Sequence, residues 1–135
     1  MKTILEEFGL NAGKVWHTLN IWGPLKEETL QKTTRLKEEN LSAAVGWLAR
    51  ENKIVKDGPT YKLGTTNLTT YIGTNAGKVW NTLQTRGECD VTTIVKLTQI
   101  TEADCYSALG WLAREDKIAV RPIKPKENKI IYTLK

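Results

Sequence analysis

The sequence predicts a mainly helical α+β fold, built as two tandem copies of one small unit in which three helices are followed by a β-hairpin. Three observations predict it. First, Gly9-Leu-Asn-Ala-Gly-Lys-Val-Trp16 returns as Gly73-Thr-Asn-Ala-Gly-Lys-Val-Trp80, and Gly46-Trp-Leu-Ala-Arg-Glu51 returns as Gly110-Trp-Leu-Ala-Arg-Glu115, both at an offset of 64 residues. Second, each copy carries three segments in which apolar residues recur at helical spacing. Third, each copy closes on short β-prone stretches separated by turn residues. A repeat of this length exceeds a solenoid unit, so each copy reads as a small domain. A unit of roughly 60 residues buries only about 60% of its chain surface. The two copies are therefore expected to pack on each other, with pseudo-twofold symmetry.

In the first copy Asn11 reads as an N-cap, followed by a helical stripe of Ala12, Val15, Trp16, Leu19 and Trp22. Gly23-Pro24 stops it. A second helix is expected from Lys26 to Thr33, and a third from about Glu38 to Asn52 with Leu41, Ala44, Val45 and Leu48 inward. Asp57-Gly58, between two β-prone segments, reads as a hairpin turn. The second copy repeats the order, with helices from Asn75 to about Gln84, near Val91 to Leu97, and from about Glu102 to Asp116. Its strands are expected near Lys117 to Arg121 and Lys129 to Leu134. Matching Tyr61-Lys-Leu63 to Tyr132-Thr-Leu134 shifts the offset from 64 to 71, so the second hairpin tip, in the region 122–128, has gained about seven residues. The expected organisation is a first domain over 1–63, a polar linker over 64–74, and a second domain with an elongated hairpin over 75–135.

Three helices, the second and third joined by a short turn, followed by a hairpin, is the winged helix-turn-helix order. The Asn-x-Gly-x-Val-Trp opening and the Gly-Trp-Leu-Ala-Arg-Glu-x-Lys-Ile closing resemble a family of small prokaryotic winged helix-turn-helix proteins, mostly of unassigned function. The resemblance covers Gly9 to Leu63 and Gly73 to Leu134. It implies the fold and carries no activity with it.

The 135 residues are 40% hydrophobic and 26% charged, with a net charge of +5, a balance compatible with nucleic acid as a partner. No apolar run approaches the roughly 20 residues that span a bilayer, and the opening segment does not read as a signal peptide. A cytoplasmic protein is expected. Cys89 and Cys105 stand where the first copy has Leu25 and Leu41, so both read as small core residues. With His17 as the single histidine, neither a metal site nor a cofactor is expected. No phosphate loop or nucleophile motif appears, so no catalytic residue is assigned and the chain is not read as an enzyme. It shows no small-molecule site.

Candidate functional residues fall into two sets. On the third helix, the face opposite the core carries Ala43, Gly46 and Arg50, and its counterpart carries Ser107, Gly110 and Arg114. Small residues there let another body approach the helix backbone. That body is another helix, including the other copy's third helix or a second chain, or a nucleic-acid backbone met by the arginines; the remaining alternative is simple accommodation of Trp47 and Trp111. The other set is basic. The second hairpin carries Lys117, Arg121, Lys124, Lys126 and Lys129, and the first a weaker version led by Lys53. Lys14 and Lys78 recur near the expected start of each opening helix, where the macrodipole disfavours cations. A basic hairpin either lies along phosphates or is a solvated edge that blocks strand-to-strand aggregation. Against base reading, the third helices start acidic, with Glu38 and Glu39 in one copy and Glu102 and Asp104 in the other. The four paired tryptophans read as core or interface packing, and Trp22 as a contact between copies. The leading expectation is non-catalytic binding of duplex DNA, architectural or weakly sequence-specific, as in a transcription regulator or chromosome-associated factor. The alternative is a protein-interaction module using its winged helices as packing surfaces.

Overall fold

The first repeat runs α1 (Ile4–Trp22), β1 (Leu25–Lys26), α2 (Glu27–Thr34), α3 (Glu38–Arg50), β2 (Ile54–Asp57) and β3 (Thr60–Leu63). The second runs α4 (Thr69–Arg86), β4 (Glu88–Cys89), α5 (Val91–Thr98), α6 (Glu102–Arg114), β5 (Ile118–Val120) and β6 (Tyr132–Leu134). These elements come from a computed structural model, which describes residues 3–122, 124, 126–127 and 129–135. In the expected tip insertion, Ile123, Pro125 and Asn128 lie outside the described residues. The order is winged helix-turn-helix twice over, as the sequence predicts. Each repeat carries an antiparallel three-stranded sheet, ordered β1-β3-β2 and β4-β6-β5.

Local chemistry explains where the elements stop. The Thr3, Asp90 and Thr101 side chains each accept the backbone N–H three residues on, capping α1, α5 and α6. α1 ends at Gly23 with φ +74° and α4 at Gly87 with φ +88°, a left-handed turn that costs glycine little. In the first wing, Asp57 pairs with Thr60 across a two-residue tip formed by Gly58 and Pro59. The wing is tied back to α2, whose Glu27 N–H donates to the Pro59 carbonyl at 3.0 Å. The strands β1 and β4 were not expected. Each adds one short edge, Leu25 opposite Tyr61 and Cys89 opposite Tyr132. Two residues are too few to show an alternating pattern.

The opening helices correct the sequence reading. Asn11 and Asn75 cap nothing. α1 begins at Ile4 and α4 at Thr69, so both asparagines lie inside helices. Residues 69–74, expected as linker, are the first turns of α4. Lys14 and Lys78 consequently sit in mid-helix, away from the positive end of the dipole, and the dipole argument for them lapses. The cause is tertiary. The added turns carry Phe8 in α1 and Ile72 in α4, and each enters the core of the other repeat. Phe8, 1% exposed, joins Val79, Leu83, Leu109 and Tyr132, with Ile4 and Leu5 packed alongside. Ile72, 4% exposed, joins Val15, Leu30, Leu41 and Tyr61. Neither core is complete without a residue from the other half.

The main seam between the repeats is α3 against α6. A methyl group built on Gly46 would run into the Ser107 carbonyl, whose carbon lies 2.7 Å away. One built on Gly110 would meet the Ala43 carbonyl in the same way, again at 2.7 Å from its carbon. The small-residue face of Ala43, Gly46, Ser107 and Gly110 is thus occupied by the protein itself, and Ala43 is wholly buried. The two contacts map onto each other at the 64-residue offset, because Ala43 corresponds to Ser107 and Gly46 to Gly110. Cys89 and Cys105 are buried free thiols that fill core, as expected, and burial pushes the Cys105 thiol up to about 12. Trp22, expected between the copies, is instead 68% exposed. His17 is exposed too.

Candidate nucleic-acid interface

The starts of α3 and α6, where a winged helix ordinarily presents side chains to the major groove, face each other across a cleft of about 320 Å³ lined by Glu38, Glu39, Glu102, Lys37 and Tyr106. Burial, reinforced by Glu39 and Glu102, raises the Tyr106 hydroxyl above its ordinary range, so it stays protonated. Three carboxylates against one lysine make this end of the seam acidic. With the middle of each helix covered by the other, neither α3 nor α6 presents a free basic face.

The opposite end of the seam is basic. Arg50 Nε donates to Glu115 at 3.1 Å, and Arg114 Nε donates to Glu51 at 2.9 Å, so the paired arginines cross from one repeat to the other. Lys53 approaches Glu51 at 3.6 Å and Lys117 approaches Glu115 at 3.5 Å. Four cationic side chains therefore surround two carboxylates. The glutamates hold the arginines in place while leaving the cluster with excess positive charge. The Arg50 guanidinium also lies over the Trp111 ring, 5.7 Å from its centroid.

Beside this cluster run two grooves related by the repeat. The first, about 340 Å³, lies between α1 and α3, with Gly9 and Gly13 in its floor, Trp16 and Trp47 as walls, and Glu51 and Lys53 at its end. The second, about 460 Å³, has Gly73 and Gly77, Trp80 and Trp111, and Glu115 and Lys117 in the same roles. Gly9 has an internal reason, since a Cβ there would meet the Trp47 ring at 3.0 Å. Gly13 and Gly77 have none, because a Cβ on either meets nothing within 4 Å. A mid-helix glycine costs about 1 kcal/mol relative to alanine, and here it recurs without any packing need. Lys14 and Lys78, each next to one of these glycines, are exposed.

The sequence assigns these tryptophans to packing, and Trp47, Trp80 and Trp111 do pack against the cores while also lining the grooves. Trp16, 37% exposed, departs from that reading. The signal for the grooves was present in the doubled Gly-Lys-Val-Trp and Gly-Trp-Leu-Ala-Arg-Glu segments, whose residues line them.

The second wing forms a separate basic set that is largely neutralised. Arg121 donates from Nε to Glu88 at 2.9 Å and from Nη2 to Glu127 at 2.9 Å. Its guanidinium holds the Glu127 carboxyl below the usual carboxylate range. Lys129 lies 3.6 Å from Asp90, whose carboxyl is lowered chiefly by its hydrogen bond with Thr93. Lys124 and Lys126 are exposed. Among the described residues, no ion pair joins this wing to the seam cluster. Of the ten predicted cations, the structure thus gathers Arg50, Lys53, Arg114 and Lys117 into one cluster, with Lys14 and Lys78 beside its grooves. Arg121, Lys124, Lys126 and Lys129 stay together on the wing.

Among the described residues, no helix is long and apolar enough to cross a membrane. No curated relative and no solved structure matches the chain. The family described as "Winged helix-turn-helix domain (DUF2582)" matches twice, over residues 2–63 and 66–134. Two matches covering nearly the whole length, on two repeats with the helix and strand order of that domain, make this chain a member of the winged helix-turn-helix domain family DUF2582, carrying the domain in tandem.

Proposed function

We propose that the protein binds nucleic acid without catalysis, through phosphates rather than through base edges read by α3 and α6. A winged helix-turn-helix fold is itself compatible with DNA binding or a regulatory role. The observation that carries the reading is the doubled cationic cluster at the seam, where Arg50, Lys53, Arg114 and Lys117 outnumber Glu51 and Glu115. Reciprocal pairing supports a pseudo-twofold axis through this cluster, which suits the backbone symmetry of a duplex. The acidic helix starts disfavour sequence reading in the major groove, because each carboxylate faces phosphate charge. The role that follows is architectural or weakly specific, that of a chromosome-associated factor or an accessory regulator.

A labelled random duplex of about 25 base pairs, titrated by fluorescence anisotropy between about 50 and 200 mM salt, tests this. Binding should fall steeply with salt. Lys53→Gln and Lys117→Gln should each reduce the log–log salt slope by about 1, whatever the duplex sequence. The absence of binding at the lowest salt would sink the reading.

One observation favours protein interaction as a second reading. Leu10, Ile21 and Trp22 are 49%, 59% and 68% exposed on α1, whereas α4 has Thr74, Thr85 and Arg86 at the same places. Isolated exposed apolar residues are ordinary, but three on one helix, each polar at the same place in the other repeat, favour α1 as a contact surface. If that surface mediates self-association, sedimentation velocity will show a dimer that Ile21→Thr with Trp22→Arg converts to monomer. A parent that is monomeric at high concentration excludes self-association.

A further inference from the structure

We propose that the two tryptophan-walled grooves are stacking sites for the bases of an unpaired strand, one on each repeat. The proposal rests on the nucleic-acid reading above and narrows it to single-stranded nucleic acid. Gly13 and Gly77 open the floors for no internal purpose, since a Cβ at either would meet nothing within 4 Å. The vacant space faces outward, where only a body from outside can use it. The walls are indole rings, of which Trp16 is 37% exposed. Planar bases stack on such rings irrespective of sequence.

Charge decides between a strand and an apolar peptide as occupant. The one acid at the end of the first groove, Glu51, is held by Lys53 at 3.6 Å and by Arg114 at 2.9 Å. Glu115 in the second groove is held by Lys117 and Arg50 at 3.5 and 3.1 Å. Lys14 and Lys78, exposed beside the floor glycines, add a further cation to each. Aromatic walls bordered by excess positive charge complement a base with its flanking phosphates. A neutral apolar segment would leave the excess positive charge without a counterpart. The grooves do not compete with the internal seam, because a Cβ on Gly13 or Gly77 meets neither α3 nor α6.

The test uses the full chain and an oligothymidylate of about 12 nucleotides, within the range that small single-strand sites cover. Oligothymidylate should quench the intrinsic tryptophan fluorescence and bind at least about tenfold tighter than a duplex of equal length at the same salt. A Gly13→Leu, Gly77→Leu double variant places a bulky side chain on each floor from a Cβ position that meets nothing within 4 Å, and should melt no lower than the parent. It should lose oligothymidylate affinity about tenfold or more, while duplex affinity stays within about twofold. If the duplex binds with the expected salt dependence but the tryptophans stay silent and the double variant binds oligothymidylate like the parent, the groove proposal is overturned and the phosphate reading stands. If neither nucleic acid binds at the lowest salt, both fall. Quenching by an uncharged Leu-rich peptide, with none by oligothymidylate, overturns the proposal in favour of a protein partner.

Discussion

Gly110→Ala is expected to destabilise the protein by about 3 kcal/mol or more, at or beyond the upper end of the usual cost of overpacking a core. The methyl would be driven into the Ala43 carbonyl, whose carbon lies 2.7 Å from the Cβ position. A flexible side chain would swing away from such a collision, but a helix backbone must move as a body. Gly46→Ala should behave alike, because the Ser107 carbonyl stands in the same relation to it. At roughly 4 °C per kcal/mol for a domain of this size, the melting temperature should drop by about 10 °C or more. Gly13→Ala is the control, since its methyl meets open space and gains helix propensity of about 1 kcal/mol. Thermal melts followed by circular dichroism measure all three. A Gly110→Ala variant melting within about 2 °C of the parent would show that α3 and α6 do not touch in solution.

The second large effect concerns a residue of the first repeat that stabilises the second. Phe8→Ala should cost about 3–5 kcal/mol, the usual loss for a fully buried phenylalanine. The cavity would open among Val79, Leu83, Leu109 and Tyr132, all of which belong to the other half. The parent is therefore expected to unfold in one transition, with calorimetric and van't Hoff enthalpies in agreement. Phe8→Ala should move that transition down as a whole, and Ile72→Ala should do the same from the opposite side, given its place among Val15, Leu30 and Leu41. Two separate transitions in the parent, or a Phe8→Ala variant whose second repeat keeps its protection from hydrogen exchange, would refute the interlocking of the cores.

The candidate site was legible only in pieces. The cations were identified individually, yet nothing in the sequence pairs Arg50 with Glu115 or Arg114 with Glu51. In the sequence each arginine stands beside the glutamate of its own repeat, and adjacent residues on a helix do not face each other. The partner comes from the other copy, and only the crossing of α3 on α6 supplies it. The wing shows the reverse. Its run of basic residues looked free, while Glu88, contributed by the unpredicted strand β4, takes up Arg121. Exposure likewise decided the tryptophans, because helical spacing places Trp16 near the core stripe without saying whether anything covers it.

By itself the sequence determined the duplication, the helices, the wings and the fold of each repeat. Those follow from local signals, namely apolar periodicity and turn residues, which act within a few residues and are written twice here. It also marked the small-residue face of α3 and α6 as a place for close approach. The tertiary structure alone decided that this approach is internal, that Phe8 and Ile72 exchange cores, and that one end of the seam is basic and the other acidic. The physical reason is that packing between repeats joins residues far apart in sequence. Their complementarity in shape and charge leaves no periodic trace in either copy taken alone.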